Sequence, residues 1–362
     1  MRIAEIAPLY ESVPPRLYGG TERVVSWLTD ELVRQGHDVT LFASGDSVTR
    51  AELAPCCERA LRLDGAERQT LVHHVLQLER VMERADDFDV LHFHTDFLHF
   101  PLSRRQRVPA LTTLHGRLDL PELVPLYRGF PETPVASISD AQRRPLPWLH
   151  WLGTVNHGLP RELFPFRAGP GEYLAFLGRI SPEKRPDRAI AIARRMGLPL
   201  RIAAKVDNAD REYFASVIRP LLDDELIEYV GEISQDEKAD FLGRALALLF
   251  PIDWPEPFGL AMIEAMACGT PVLAWRNGST PEVVDEGVTG WLVEDMDGAV
   301  AALGHVAALD RAACRARFEL RFPVERMTRD YLALFARLID GPPPRRGHAG
   351  AHVERSASAE GA

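Results

Sequence analysis

At 362 residues, with 46% hydrophobic and 26% charged side chains, the chain has room for two ordinary globular domains. Its formal net charge of -10 argues against a nucleic-acid binder, which needs a basic face, and no run approaches the ~18 apolar residues of a membrane-spanning helix. Four cysteines without CxxC spacing argue against a metal knuckle or disulfide framework and read as free thiols.

After Arg2 the first apolar stretch is broken by Glu5 and Pro8, so no signal peptide is read and a cytoplasmic protein is expected. Residues 2–7 read as a strand, followed by a Pro- and Gly-rich loop to Gly20. Thr21 is placed to cap a helix over 22–35, where Val24, Val25, Leu28 and Leu32 recur at helical spacing. Gly36 ends that helix and 38–43 is the next strand. Strand, helix, glycine, strand is a βαβ unit, which sets a parallel sheet. The pattern continues with a helix over 70–84, strands over 89–93, 110–114 and 135–138, and a helix starting at Ser139. From Arg144 to Phe166 the chain is rich in Pro, Trp and Gly and reads as a connector.

A second series follows: strand 173–177, helix 186–196, strand 200–204, helix 212–222 and strand 227–230. Ser234 and Glu237 form a capping box for a helix to Leu242, before a strand over 247–250. In the stretch from Trp254 to Glu264, Pro257 suits a first helical position, leaving the Phe258, Gly259 and Leu260 amides free at a phosphate-binding helix end. Strands 270–274 and 291–293, a short helix at 279–282, and helices from Asp297 and over 324–339 complete the pattern. The fold class expected is α/β, with two doubly wound Rossmann-like domains, 1–160 and 161–322, facing a central cleft. A closing helix at 323–340 and a disordered tail at 341–362 complete the expectation.

Several side chains could carry chemistry. Glu264 is a carboxylate in a helix otherwise apolar back to Gly259, so it needs a polar partner or a cleft. Gly19 and Gly20 allow close backbone approach, although a Gly-Gly pair is also a common turn. Neither the GxGxxG nor the P-loop pattern is present. Gly178-Arg179 and Lys184 fall on a strand-to-helix loop that either clamps a diphosphate or is solvated, with Glu183 as partner. His115 sits just past a strand end. His92, His94, Asp96 and His99 have the look of a metal cluster, but a plain strand with a polar end is the preferred reading, so no metal site is assigned. Arg104-Arg105-Gln106-Arg107 and Arg143-Arg144 read as solvated faces, with weak peripheral contact to anionic membrane or to a phosphorylated acceptor as the alternative.

Taken together these segments resemble the retaining glycosyltransferases of family 4, which have the GT-B fold. The resemblance covers about residues 1–335. It is carried by the two glutamates Glu256 and Glu264 with Pro257, Phe258 and Gly259 between them, by 265–272 and 287–293, and by Gly19-Gly20, His115, Gly178-Arg179 and Lys184. It implies that Glu256 and His115 contact the donor sugar and that Glu264 holds the ribose hydroxyls. It implies that Arg179 and Lys184 bind the diphosphate, aided by the Phe258, Gly259 and Leu260 amides, with Gly19 and Gly20 approaching from the other lobe. Gly278 and Ser279 would lie near the nucleotide. The implied partners are a UDP- or GDP-sugar donor and an unidentified hydroxyl acceptor; no cofactor and no metal are implied. A sugar-nucleotide epimerase on the same fold and a non-catalytic sugar-nucleotide binder are the competing readings. The long aromatic loop at 10–20 departs from familiar members and leaves the acceptor open.

Overall fold

The computed structural model describes residues 1–62, 69–223 and 225–341; the expected tail from Pro342 lies outside the described residues. Two all-parallel sheets carry the fold. The first contains β1 (Arg2–Ile6), β2 (Asp38–Ser44), β3 (Glu52–Cys57), β4 (Val90–Phe93), β5 (Ala110–Thr113), β6 (Val135–Ser137) and β7 (Trp151–Thr154), in the order β3-β2-β1-β4-β5-β6-β7. The second contains β8 (Tyr173–Arg179), β9 (Leu200–Lys205), β10 (Ile227–Gly231), β11 (Ala245–Phe250), β12 (Val272–Trp275) and β13 (Gly290–Val293), in the order β10-β9-β8-β11-β12-β13. In each sheet the strand order reverses beside the first strand. That reversal opens a crevice at the carboxyl ends of the strands.

The central strands are continuous buried runs, as sheets covered on both faces require. The edges are different. β3 contains Pro55 and has a single buried residue, and β7 is only half-buried, so neither shows the apolar pattern that marks the other strands. Both were absent from the sequence expectation for that reason.

The first lobe adds α1 (Gly20–Arg34), α2 (Thr70–Glu83), α3 (Phe100–Ser103), α4 (Leu123–Arg128) and α5 (Asp140–Arg143). The second adds α6 (Pro186–Met196), α7 (Arg211–Tyr213) with irregular turns to Leu221, α8 (Gln235–Gly243), α9 (Leu260–Ala267), α10 (Thr280–Val283), α11 (Met296–Ala307) and α12 (Arg311–Arg321). Two helix starts differ from expectation. Thr21 lies inside α1, whose cap is the backbone of Gly19. Pro257 lies in a loop before α9, which begins three residues later because Gly259 turns the chain at φ 86°.

The last helix, α13 (Val324–Ile339), returns to the first lobe. Leu159 and Pro323 pair where the outgoing and returning chain segments cross, with Leu159 N–H donating to Phe322 O at 3.0 Å. The Tyr331 ring then lies 4.8 Å from that of His92, inside the first sheet's core. The lobes also touch directly. The Glu282 carboxylate accepts from the Asp140 and Ala141 amides at 2.7 and 2.6 Å, and Glu232 accepts from the Tyr18 amide at 2.7 Å.

Candidate active site

A cleft of about 640 Å³ lies between the lobes at the carboxyl ends of both sheets. Gly19, Gly20 and His115 reach it from the first lobe, and Gly178, Arg179, Lys184, Glu256, Phe258, Gly259, Leu260 and Glu264 from the second. Every residue singled out above for donor contact or catalysis thus lines one space. Gly278 and Ser279 do not. They stand behind the wall: a Cβ on Gly278 would meet the Glu256 backbone N at 2.3 Å, and Ser279 donates to Glu256 O and Phe258 O at 2.9 Å each. Their work is to hold the Glu256–Phe258 loop.

That loop presents its charge in pairs. Lys184 Nζ is ion-paired with Glu256, and Trp254 Nε1 donates to the same Glu256 oxygen at 3.1 Å. Lys184 Nζ also sits 4.8 Å from the Trp254 ring centroid, which restricts where the ammonium can go. Arg179 is met by Glu183, by Asp207 at 3.6 Å and by Asp210 at 3.3 Å. The solvated-loop alternative is therefore partly right for Arg179, since Glu183 is its partner, yet the guanidinium still borders the cleft. The first turn of α9 leaves backbone N–H groups free of helical carbonyls, with Leu260 and Ala261 lining the space.

Glu264 both has a partner and lines the cleft. Lys238 of α8 donates to its Oε1 at 2.8 Å. Burial lowers the Lys238 pKa, and the Glu264 charge opposes that shift. Arg23 of α1 lies close enough to both to matter electrostatically, and donates to Gln235 across the cleft at 2.7 Å.

His115 is half-buried and packs against other histidines. Its Nε2 lies 2.8 Å from His94 Nδ1, and its ring stacks at 5.3 Å on His157, which meets the Phe258 ring at 4.9 Å. Desolvation holds the His115 pKa well below its usual value, so the ring is neutral. The suspected histidine cluster separates into two. His99 bonds Ser103 and, at 2.7 Å, Thr112. His92 and His94 meet Glu5 at 3.1 and 2.8 Å, instead of Asp96. Glu5, His92 and His94 have the donor types of a metal site, but both rings meet the Glu5 carboxylate through ordinary hydrogen bonds. Two DxD spacings, Asp87 to Asp89 and Asp295 to Asp297, lie away from the cleft: Asp89 pairs with Arg2 and Asp295 caps α11. Among the described residues no helix is long and apolar enough to cross a membrane. Arg104 is folded onto Glu132 and lies 4.4 Å from the Phe130 ring centroid.

Lys205, Lys238, His157, Arg23 and Trp254 are cleft residues that sequence reasoning did not single out. A signal for two of them was available. The chain has 42 lysines and arginines, of which only Lys184, Lys205 and Lys238 are lysine, and all three line the cleft.

Residues 165–309 match the family described as glycosyl transferases group 1, and residues 18–157 match glycosyltransferase family 4. The chain is similar to a glycogen synthase of Mycobacterium tuberculosis, 26% identical and covering 91% of each chain. It is 35% identical to a D-inositol 3-phosphate glycosyltransferase of Streptomyces coelicolor over 44% of this chain and 38% of that one. Among solved structures it is similar to AviGT4, a glycosyltransferase involved in avilamycin A biosynthesis, at 23% identity and TM-score 0.71, covering 94% of this chain and 98% of that one. Sucrose-phosphate synthase from Thermosynechococcus elongatus aligns at 20% identity and TM-score 0.76, over 93% and 98% of the two chains. Anabaena HepE, solved with UDP and glucose, aligns at 18% identity and TM-score 0.72, over 93% and 100%.

Proposed function

The chain is a group 1, family 4 glycosyltransferase of GT-B fold, and from that premise we propose that it moves a sugar from a UDP- or GDP-sugar to an acceptor hydroxyl, with retention and without a metal. The observation that carries the reading is the single cleft in which Lys184, Arg179 and the α9 N-terminus converge beside Glu256 and Glu264. These groups suit the difficulty of the reaction. The anomeric C–O bond breaks as negative charge gathers on the leaving diphosphate, and preorganised cations and amides stabilise that charge.

Lys184 and Arg179 hold the diphosphate, Glu264 accepts from ribose hydroxyls, and Glu256 and His115 orient the sugar. The acceptor oxygen attacks from the face that the diphosphate leaves, and its proton passes to the departing phosphate oxygen. Contact between the lobes excludes water that would hydrolyse the donor. A HepE structure with UDP-glucose favours a uridine donor. The long loop at 10–20 and the first lobe shape the acceptor site. Arg105 and Arg107 remain exposed for weak peripheral contact with anionic lipid.

A thermal-shift panel of UDP-, GDP- and ADP-sugars tests the reading. One donor is expected to stabilise the protein and, with an acceptor present, to release its nucleotide diphosphate. Stabilisation by none of them, or free epimerised donor formed without acceptor, overturns it.

A further inference from the structure

One face of the first sheet carries a polar chain that leads back from His115 and whose other members take no part in the proposed transfer chemistry. Parallel pairing sets Glu5 of β1 beside His92 of β4. Strand alternation then carries His94 to the same face as His92, and His115 to the same face as Thr113. The Glu5 carboxylate stands between the two arms. One Oε is 2.8 Å from His94 Nε2, and His94 Nδ1 is 2.8 Å from His115 Nε2. His92 Nδ1 lies 3.1 Å from both Oε atoms and is hydrogen-bonded to the other one; its Nε2 lies 2.8 Å from Thr113 Oγ1, which meets the Tyr331 hydroxyl at 3.0 Å. Glu5, His92 and His94 are fully or almost fully buried.

We propose that Glu5 is a positioning residue: through His94 it holds His115 with its proton on Nε2, leaving a bare Nδ1 lone pair at the cleft to accept from a hydroxyl of the bound sugar. Three observations lead there. A carboxylate can only accept, so His94 must present Nε2–H to it. A neutral imidazole has one N–H, so His94 Nδ1 is then an acceptor. His115 must donate from Nε2, and its Nδ1 has no protein partner among the described residues. Burial holds His94 down to about 3, so the ring keeps a single proton at any working pH.

Burial also raises the Glu5 pKa, and the two arms answer that differently. A proton on Glu5 settles on the oxygen facing His92, because that arm reverses when one ring proton moves, from Nδ1 to Nε2 of His92, and its two hydroxyls then follow by rotation. The His94 arm reverses only if two ring protons move. The assignment to His115 therefore holds for either state of Glu5, and an amide at position 5 should preserve it, with its oxygen toward His94 and its NH₂ toward His92.

The kinetic consequence rests on the proposed transferase reading, whereas the tautomer does not, so the decisive measurement needs no donor. Two-bond ¹H–¹⁵N correlation spectra of the full ¹⁵N-labelled chain report which ring nitrogen carries the proton, with His115 assigned by the loss of its signals in His115→Asn. In the wild type and in Glu5→Gln, His115 should be protonated on Nε2. In Glu5→Met it should become a mixture of tautomers. With the donor identified above, Glu5→Met should then lose roughly two- to tenfold in kcat/KM while Glu5→Gln stays near wild type. A wild-type His115 protonated on Nδ1 overturns the proposal even if Glu5→Met does not fold, and so does a folded Glu5→Met with the tautomer unchanged. The expected tautomers without any transferase activity would leave this assignment standing and sink the transferase reading instead.

Discussion

Lys238 and Glu264 form an ion pair on the wall of the cleft, Nζ 2.8 Å from Oε1, with side chains only 14% and 3% exposed. A pair this buried cannot be tested by simple truncation. Removing the carboxylate leaves an ammonium unpaired in a desolvated site, at a cost of about 3–5 kcal/mol in stability. Glu264→Gln keeps an acceptor for Lys238 and removes the charge. It should weaken donor binding by about 1.5–3 kcal/mol, read by calorimetry, with little change in Tm. Unchanged affinity would show that Glu264 does not hold the ribose as proposed.

Lys184 is held by Glu256 and by the Trp254 and Phe250 rings. If it carries leaving-group charge, Lys184→Ala should lower kcat on the order of a hundredfold at saturating donor. Wild-type turnover under those conditions would show that another group neutralises the diphosphate.

Glu22 faces the cleft from the first turn of α1, where burial pushes its pKa up to about 7. A carboxyl with a raised folded value binds its proton more tightly in the native state. Its penalty is absent below about pH 4.5 and grows as pH rises to about 7. Glu22→Gln should therefore raise stability by on the order of 2 kcal/mol at pH 8 and leave it unchanged at pH 4. A Tm difference that does not vary with pH would contradict this.

Transfer should proceed at the same rate in EDTA. In the proposed scheme Lys184, Arg179 and the α9 N-terminus, all on the cleft wall, do the neutralising that a metal would otherwise do. Activity lost to chelation and recovered with Mg²⁺ or Mn²⁺ would refute the metal-free scheme.

Much of the second lobe is readable in order along the chain. The bounds of α6 follow from Pro186 at its start and Gly197 in the left-handed region at its end, and α13 shows its apolar period over its full length. The short motifs around Glu256 name cleft residues because they are contiguous loops at strand ends. What escapes is set by pairing. Glu5 and His94 are 89 residues apart and meet only through the register of β1 and β4. Lys238 looks like any helix surface residue until α8 packs against α9, and His157 lies in a connector without periodicity. The edge strands β3 and β7 escape for a related reason, since half-buried edges need no apolar run.

The crossing at Leu159 and Pro323 separates the order of synthesis from the order of completion. The second lobe has its whole sheet once Val293 is made. The first lobe, made earlier, lacks the Tyr331 and Phe335 rings that pack on His92 until α13 has been made. The half that begins the chain is thus the half that finishes folding last. A released chain ending near residue 322 would contain every strand and helix of the second lobe, joined to a first lobe whose histidine core is still open on one side.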